Sequence, residues 1–186
     1  GFAAKYQNFE LTSGGIIGNG DINTSKIEKI GDWYRCSVTQ DATGTNPRFL
    51  LITSETALAS RNASYTGNGT DGILAWGYQV EEQSQATAYI KSDGIAAVRK
   101  SSTTNLVNYS EDFTQSDWTK TGSAVVTPNT TISPDGTQNA DTLNIPSGSF
   151  FFTSITTGAG TFTLSCYVKV SSGTLDFKMQ SFNGTD

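Results

Sequence analysis

The chain has 186 residues, of which 35% are hydrophobic and 11% aromatic, and it carries a net charge of −5 at pH 7. This hydrophobic content argues against disorder of the whole chain. The acidic balance argues against nucleic acid or an anionic membrane surface as a partner, because both require clustered Lys and Arg, and no apolar run approaches the ~20 residues needed for membrane insertion as a helix.

Four segments alternate apolar and polar residues with a period of two, which is the pattern of half-buried antiparallel strands. In chain order they are WYRCSVTQ (33–40), ILAWGYQV (73–80), TFTLSCYVKV (161–170) and TLDFKMQSF (174–182). The second segment is predicted to place Leu74, Trp76, Tyr78 and Val80 on one face. Cys36 and Cys166 lie inside two of the segments, and two buried thiols are favoured over a disulfide.

Shorter patterns complete the picture of a strand-rich chain. Further strands are predicted over residues 5–11, 48–53, 86–90, 123–127, 140–145 and 150–155. Short helices are considered for residues 55–60 and 80–86, although neither stretch has an apolar helical face. Turn sequences such as SPDG (133–136) separate the segments. The sequence therefore predicts an all-β fold, an antiparallel β-sandwich of the jelly-roll type.

The residue types that catalysis needs are sparse. The chain has no histidine, which removes Ser-His-Asp and Cys-His arrangements and the commonest general base. Two cysteines cannot complete a four-thiolate zinc site. A glycosidase needs two carboxylates facing each other across a cleft, whereas Glu81 and Glu82 are neighbours that point to opposite faces of a strand. We therefore expect the chain not to be an enzyme.

Two tryptophans and an arginine are candidates for glycan binding, because sugars stack on exposed aromatic rings and hydrogen-bond to polar side chains. Trp33 is predicted on the strand face opposite Tyr34 and Cys36, with Arg35 two positions along, so that Trp33 and Arg35 could form a platform. Trp118 follows a polar turn and could do the same at a loop. The alternative for either tryptophan is packing in a core or against a neighbouring subunit.

The order of several short motifs resembles a known group of modules. NLVNYSEDFTQSDWTKTGSAVVTPNTTISPDGTQNADTL, followed by SFFFTSITTGAGTFTLSCYVKV, is similar to the opening half of a carbohydrate-binding-module-like jelly roll. Modules of this kind recur in fibres and tailspikes of tailed bacteriophages. NFELTSGGIIG, IGDWYRCSVTQDATG and YTGNGTDGILAWGYQVEEQSQATAYI resemble the closing elements of the same module.

This resemblance implies a permuted domain organisation. Residues 1–92 correspond to the closing half of one module, residues 93–103 to a linker, and residues 104–186 to the opening half of a following module. A half-sandwich would expose a large apolar sheet face, so each half must be covered. We expect cover from residues outside this chain or from a neighbouring chain, and the rival arrangement is one permuted sandwich with Val38 and Leu164 in a single core.

The resemblance also implies a function and a setting. The chain would be a structural and adhesive segment of a bacteriophage virion fibre, in the tail or the head, that contributes to recognition of a host surface glycan. Its partners would be copies of itself, in a homotrimer, and other virion proteins assembled in the host cytoplasm. The alternatives are a carbohydrate-binding module of a secreted polysaccharide-degrading enzyme and a non-catalytic part of a depolymerase tailspike.

Related modules often hold a structural calcium ion near the start of the domain. In this chain the acidic residues at the corresponding place are Glu111, Asp112 and Asp117, which offer the hard oxygen ligands that calcium prefers. No other cofactor is expected.

Overall fold

The structure is a computed structural model that describes residues 5–12, 14–22, 24–42, 48–61, 63–67, 70–98, 104–173 and 176–182. These residues form 14 strands and no helix, which confirms the all-β prediction. Accordingly, none of them belongs to a helix with the length and hydrophobicity that a membrane crossing requires. The strands are β1 (Lys5–Glu10), β2 (Ile16–Gly20), β3 (Thr24–Ile30), β4 (Trp33–Ala42), β5 (Arg48–Ser54), β6 (Gly72–Glu81), β7 (Ala97–Val98), β8 (Thr104–Asn105), β9 (Trp118–Lys120), β10 (Val125–Thr131), β11 (Ala140–Asn144), β12 (Phe151–Ser154), β13 (Gly160–Ser172) and β14 (Asp176–Phe182).

Twelve of the strands form two antiparallel six-stranded sheets with one hydrophobic core between them. The first, called the β5 sheet here, has the order β2-β1-β14-β5-β12-β9, and the second, the β6 sheet, has the order β10-β11-β6-β13-β4-β3. Alternate side chains of both sheets point inward. The core contains Phe9, Leu51, Phe151, Phe177 and Met179 from the β5 sheet and Cys36, Val38, Tyr78, Leu164 and Cys166 from the β6 sheet.

Both sheets combine strands from the two stretches that the sequence separates at residues 93–103. Strand β13 lies between β4 and β6, and β14 lies between β1 and β5. Leu164 is the direct cross-strand partner of Val38, and both are core residues. The two stretches therefore cover each other's apolar faces in this structure, with Val38 and Leu164 in one core.

The region predicted as a linker leads into a short ribbon, in which β7 pairs with β8. Residues 99–103 lie outside the described residues. Asn105, at the end of β8, is fully buried, and its side-chain amide donates to the carbonyl oxygens of Tyr78 and Ile90. Its Oδ1 accepts hydrogen bonds from the backbone N–H groups of Val80 and Val107. The start of the second stretch is thereby tied to strand β6.

Strand β6 departs from its predicted alternation at Gly77. The register with β13 shifts there, so that Tyr167 is opposite Trp76 but Ser165 is opposite Gln79. This β-bulge reverses the side-chain alternation: Trp76 belongs to an outer-face cluster, whereas Tyr78 belongs to the core. The prediction of one shared face for Leu74, Trp76, Tyr78 and Val80 is therefore wrong. Gly77 has a φ of +65°, a conformation that favours glycine.

Most predicted strands are present, and two kinds of prediction fail. The helices considered over residues 55–60 and 80–86 are wrong, because none of the described residues is helical. The strand predicted over residues 86–90 is also wrong, because β6 ends at Glu81 and residues 82–92 form a loop. The sequence patterns do not predict strands β2, β3, β7, β8 and β9, because these strands are short or lack regular alternation. Cys36 and Cys166 are buried free thiols on facing positions of β4 and β13, in agreement with the prediction.

Candidate ligand-binding cleft

Trp118 belongs to the main core. Its side chain is 3% exposed, and its ring centroid lies 4.8 Å from that of Tyr78 and 4.6 Å from that of Phe113. The indole Nε1–H donates a 2.9 Å hydrogen bond to the backbone oxygen of Tyr109, which satisfies its only polar group. The ring has no face directed to solvent and offers no platform to a sugar in this structure.

Trp33 and Arg35 lie on the outer face of the β6 sheet beneath the loop of residues 82–92. Trp33 is 5% exposed and packs in a second apolar cluster with Leu74, Trp76 and Ala140. The Arg35 guanidinium lies 5.5 Å from the ring centroid of Tyr167 and donates a hydrogen bond to the Thr87 carbonyl oxygen of the loop. Arg35 therefore anchors the loop to the sheet, and Trp33 packs on the same outer face, on the opposite side of the sheet from the core that holds Trp118.

The three acidic residues considered for calcium have separate partners. Glu111 is 8% exposed, and its carboxylate accepts hydrogen bonds from the Tyr89 hydroxyl at 2.9 Å and the Asn139 amide at 3.0 Å. The Lys91 ammonium lies 2.8 Å from the same carboxylate, where it would repel a cation. Glu111 thus already has neutralising partners.

Asp112 and Asp117 act locally. The Asp112 carboxylate accepts hydrogen bonds from Thr114 and Gln115. Although partial burial opposes the effect, these bonds hold the pKa of Asp112 below its usual value. Asp117 accepts a hydrogen bond from the Asn108 amide. No group of three or more acidic, Cys or His side chains suited to an ion occurs in the part of the chain that the structure describes, and Glu111, Asp112 and Asp117 each have partners of their own.

A cleft lies elsewhere, on the outer face of the β5 sheet. Its floor is a row of cross-strand partners: Gln180 of β14 is opposite Leu50 of β5, Leu50 is opposite Phe152 of β12, and Phe152 is opposite Thr119 of β9. These side chains point away from the core, which takes the alternate residues Leu51 and Phe151 and their neighbours. The floor is therefore formed by four adjacent strands.

The cleft has a volume of about 650 Å³, within the range usual for small-molecule sites. Its lining is mostly apolar, and the rings of Phe150 and Phe152 have centroids 6.0 Å apart. Two segments outside the strands contribute to the lining, one with Arg61, Ala63 and Ser64 and the other with Gly148, Ser149 and Phe150. The residues that complete the lining are Arg48, Ile52, Arg61, Ala63, Ser64, Thr121, Gly148 and Ser149.

The charged groups around this cleft are basic. Arg48 and Arg61 line it, and the described lining contains no Asp or Glu. Lys178, next to the cleft at the position opposite Ile52, is 1% exposed, and its ammonium donates to the carbonyl oxygens of Ser60 and Arg61 at 2.8 and 3.0 Å. Burial and, after it, the charge of Arg61 lower the pKa of Lys178. The charged side chains described in the lining and next to it are thus Arg48, Arg61 and Lys178.

Gln180 provides a polar group at the base of the cleft. The residue is 6% exposed, and its Oε1 is shielded from solvent and accepts no hydrogen bond from a described residue. A buried carbonyl oxygen without a donor costs about 1–3 kcal/mol.

This cleft is not evident from the sequence, although the alternation of its strands contains part of the signal. The predicted strands over residues 48–53, 150–155 and 174–182 each carry large or polar residues at alternate positions, namely Arg48, Leu50, Ile52, Phe150, Phe152 and Gln180. Alternation shows which residues share a face of one strand but not which strands are neighbours. The cleft depends on the pairing of β14, β5, β12 and β9, which no single segment encodes.

Comparison of the chain with protein families, with curated proteins and with solved structures finds no match.

Proposed function

We propose that this chain is a non-catalytic, glycan-binding β-sandwich that serves as a structural and adhesive segment of a bacteriophage virion fibre. The observation that carries the binding function is the cleft on the β5 sheet, where adjacent phenylalanine rings, two arginines and a buried amide converge. A pyranose ring has apolar C–H faces and a rim of hydroxyl groups. The cleft offers an apolar aromatic floor with polar groups around it, which matches that combination.

The virion setting is supported by the ordered motifs in the sequence, which resemble the junction between successive jelly-roll modules of phage fibres. In such an array this sandwich would be a rigid bead that presents its cleft outward, and a homotrimer would present several clefts to one host surface. Multiple weak sites on one particle bind more strongly together than each does alone. Mass spectrometry of purified phage particles that carry the gene should detect the chain, and its absence from them would contradict this setting.

The binding function is tested with a glycan array and one substitution in the floor of the cleft. Phe152→Ala removes the aromatic ring between Leu50 and Thr119 and should weaken binding of every glycan that the wild-type chain retains by at least about 10-fold, since buried aromatic anchors dominate most binding sites. The matched control is Ile132→Ala, which truncates an apolar side chain that is 60% exposed and outside the cleft.

The two variants give distinguishable outcomes. Retained binding by Ile132→Ala and lost binding by Phe152→Ala, with unchanged thermal unfolding of both, is the expected result. Absence of glycan binding by the wild-type chain, or equal binding by wild type and Phe152→Ala, would contradict glycan recognition in this cleft.

A further inference from the structure

We propose that Lys178 and Asn8 form an intramolecular isopeptide bond, in which the lysine amine displaces ammonia from the side-chain amide of the asparagine. The bond would join strands β14 and β1 covalently, and it does not depend on glycan binding. Three features of the outer face of the β5 sheet carry the proposal: the pairing of the two side chains, their burial under one segment of the chain, and a neighbouring carboxyl group.

The strand register places the two side chains next to each other. Asn8 and Lys178 are direct cross-strand partners, and both point away from the core, which takes their neighbours Phe9 and Phe177. Directly opposite residues of an antiparallel pair have Cβ atoms about 4.5–5.5 Å apart. The Lys178 ammonium lies 5.4 Å from the ring centroid of Tyr6, two residues before Asn8. The lysine side chain therefore leans over β1, the strand that carries the asparagine.

One segment of the chain covers the ends of both side chains. Asn8 is 0% exposed, and its Nδ2 donates to the carbonyl oxygens of Ala57 and Ala59 at 3.1 and 2.6 Å. Lys178 is 1% exposed, and its Nζ donates to the carbonyl oxygens of Ser60 and of the residue after it. Because Ala59 and Ser60 are consecutive, their carbonyl groups hold the amide and the amine side by side and away from water.

Burial also favours the reactive form of each group. An amine attacks a carbonyl carbon only when it is unprotonated, and burial, followed by the charge of Arg61, lowers the pKa of Lys178. The Asn8 Oδ1 is shielded from solvent and accepts no hydrogen bond from a described residue. This carbonyl oxygen is therefore available to a donor within the protein, which the reaction requires.

Asp176 is the carboxyl group beside the pair. It is 5% exposed and lies two residues before Lys178 on the same face of β14. The Ala57 N–H donates to Asp176, and the Ala57 carbonyl oxygen accepts from Asn8, so a single residue connects the carboxyl group to the amide. Its pKa of about 6 provides a protonated fraction near neutral pH. The protonated carboxyl group can donate to the Asn8 Oδ1 and carry a proton between the two nitrogens.

The reaction balances without a further reactant. The lone pair of the Lys178 Nζ attacks the Asn8 Cγ, and an electron pair of the carbonyl bond moves to Oδ1. One proton passes from Nζ through the Asp176 carboxyl group to Nδ2. The carbonyl bond then re-forms, the Cγ–Nδ2 bond breaks with its electron pair on nitrogen, and ammonia leaves. One amide replaces another with no change of oxidation state, and the chain becomes about 17 Da lighter.

The bond would have a mechanical consequence, because β1 and β14 are the first and the last strands of the described chain. A pulling force that enters at β1 and leaves at β14 would pass directly through the Asn8–Lys178 bond. Residues 9–177 would then bear no tension, and the sandwich would not unfold under that force.

Intact-mass spectrometry of the purified chain tests the proposal. We expect a mass about 17 Da below that of the sequence, and peptide mapping should find a branched peptide that joins Asn8 to Lys178. Lys178→Arg keeps the positive charge but has no primary amine, so its mass should equal that of its own sequence. Lys26→Arg is the matched control, because Lys26 is exposed on the β6 sheet, and it should keep the deficit.

Two further substitutions test the acceptor and the proton carrier. Asn8→Ala should abolish the mass deficit. Asp176→Asn should slow the loss of ammonia at least about 100-fold, because general acid–base assistance usually contributes that much or more. Mass spectra taken at intervals after cell-free synthesis measure this rate. Loss of ammonia from Asp176→Asn at the wild-type rate would overturn the role of Asp176.

A second source of ammonia loss has to be separated from the first. Succinimides form at Asn-Gly sequences with the same mass change, and the chain contains Asn19-Gly20, Asn68-Gly69 and Asn183-Gly184. Mild alkali hydrolyses a succinimide but leaves an isopeptide bond intact. A deficit that persists in Lys178→Arg and disappears in alkali, without a branched peptide, would overturn the proposal.

A folded wild-type chain with the full mass of its sequence would overturn it as well. If Lys178→Arg or Asn8→Ala does not fold, the branched peptide of the wild-type chain decides alone: its presence confirms the bond and its absence rejects it.

Discussion

At the scale of single residues, two buried carboxylates, those of Asp141 and Asp176, have different surroundings. Asp141 is 1% exposed, and its two oxygens accept hydrogen bonds from the backbone N–H groups of Phe113 and Asn129. It thereby fixes the loop that begins the second stretch against strand β11. Asp176, at the start of β14, is 5% exposed and lies near Glu10. Burial and, after it, the charge of Glu10 raise the pKa of Asp176 to about 6.

The raised pKa of Asp176 predicts a pH-dependent stability. A carboxyl group with a higher pKa in the folded state binds its proton more tightly there than in the unfolded chain. Its contribution to stability is therefore fully present below about pH 4 and is lost as the pH rises through about 6. Relative to Asp176→Asn, the wild-type free energy of unfolding should fall by on the order of 2 kcal/mol between pH 4 and pH 7.

Urea unfolding of both proteins at several pH values measures this difference. Stability curves of wild type and Asp176→Asn that remain parallel from pH 4 to pH 7 would show that Asp176 titrates normally in the folded protein.

At the scale of elements, strand β6 has two neighbours on one of its edges. Residues 73–75 pair with β11, and beyond the bulge at Gly77 the same strand is contacted by residues 105–110, where the Tyr78 N–H donates to the Ser110 carbonyl oxygen and the Leu106 N–H to that of Val80. The buried side chain of Asn105 fills the place of a paired residue in this region. It satisfies backbone groups that would otherwise lie buried without partners.

Asn105→Ala should therefore destabilise the protein by about 3 kcal/mol, since it leaves the N–H groups of Val80 and Val107 and the carbonyl oxygens of Tyr78 and Ile90 without their side-chain partner. Asn108→Ala is the matched control, because Asn108 is exposed and its described hydrogen bond goes to Asp117. Chemical denaturation should show a change within about 0.5 kcal/mol for the control. Equal effects of the two substitutions would contradict this role of Asn105.

The same strand shows what sequence patterns can and cannot reveal about elements. The alternation in residues 161–170 predicts β13 correctly, because that strand is continuous and its inward residues, such as Leu164 and Cys166, all face the core. The alternation in residues 73–80 predicts β6 but not its faces, because the bulge at Gly77 inserts one residue. Residues 86–90 are predicted as a strand but form part of a loop. Tyr89 packs on Trp76 from this loop, so its apolar ring is buried without a strand.

At the scale of the whole molecule, the two stretches of the chain interleave. Each sheet takes strands from both sides of residues 93–103, and the cleft takes Leu50 and Arg61 from the first stretch and Phe152 and Gln180 from the second. Sequence patterns identify most of the strands and, outside β6, many of the inward-facing residues. They did not predict the cleft, which arises only when β14 and β12 flank β5, and they placed the candidate sugar contacts at Trp33 and Trp118, which are both buried.

The proposed function depends most on the cleft of the β5 sheet as the glycan-binding site. Titration of the isotope-labelled chain with the glycans that it retains on the array, followed by heteronuclear NMR, tests this most directly. We expect the amide resonances of Leu50, Ile52, Phe152 and Gln180 to shift with at least one of these glycans, while those around Trp33 on the β6 sheet do not. Shifts centred on the β6 sheet, or no shifts in the cleft with any retained glycan, would contradict glycan binding in this cleft.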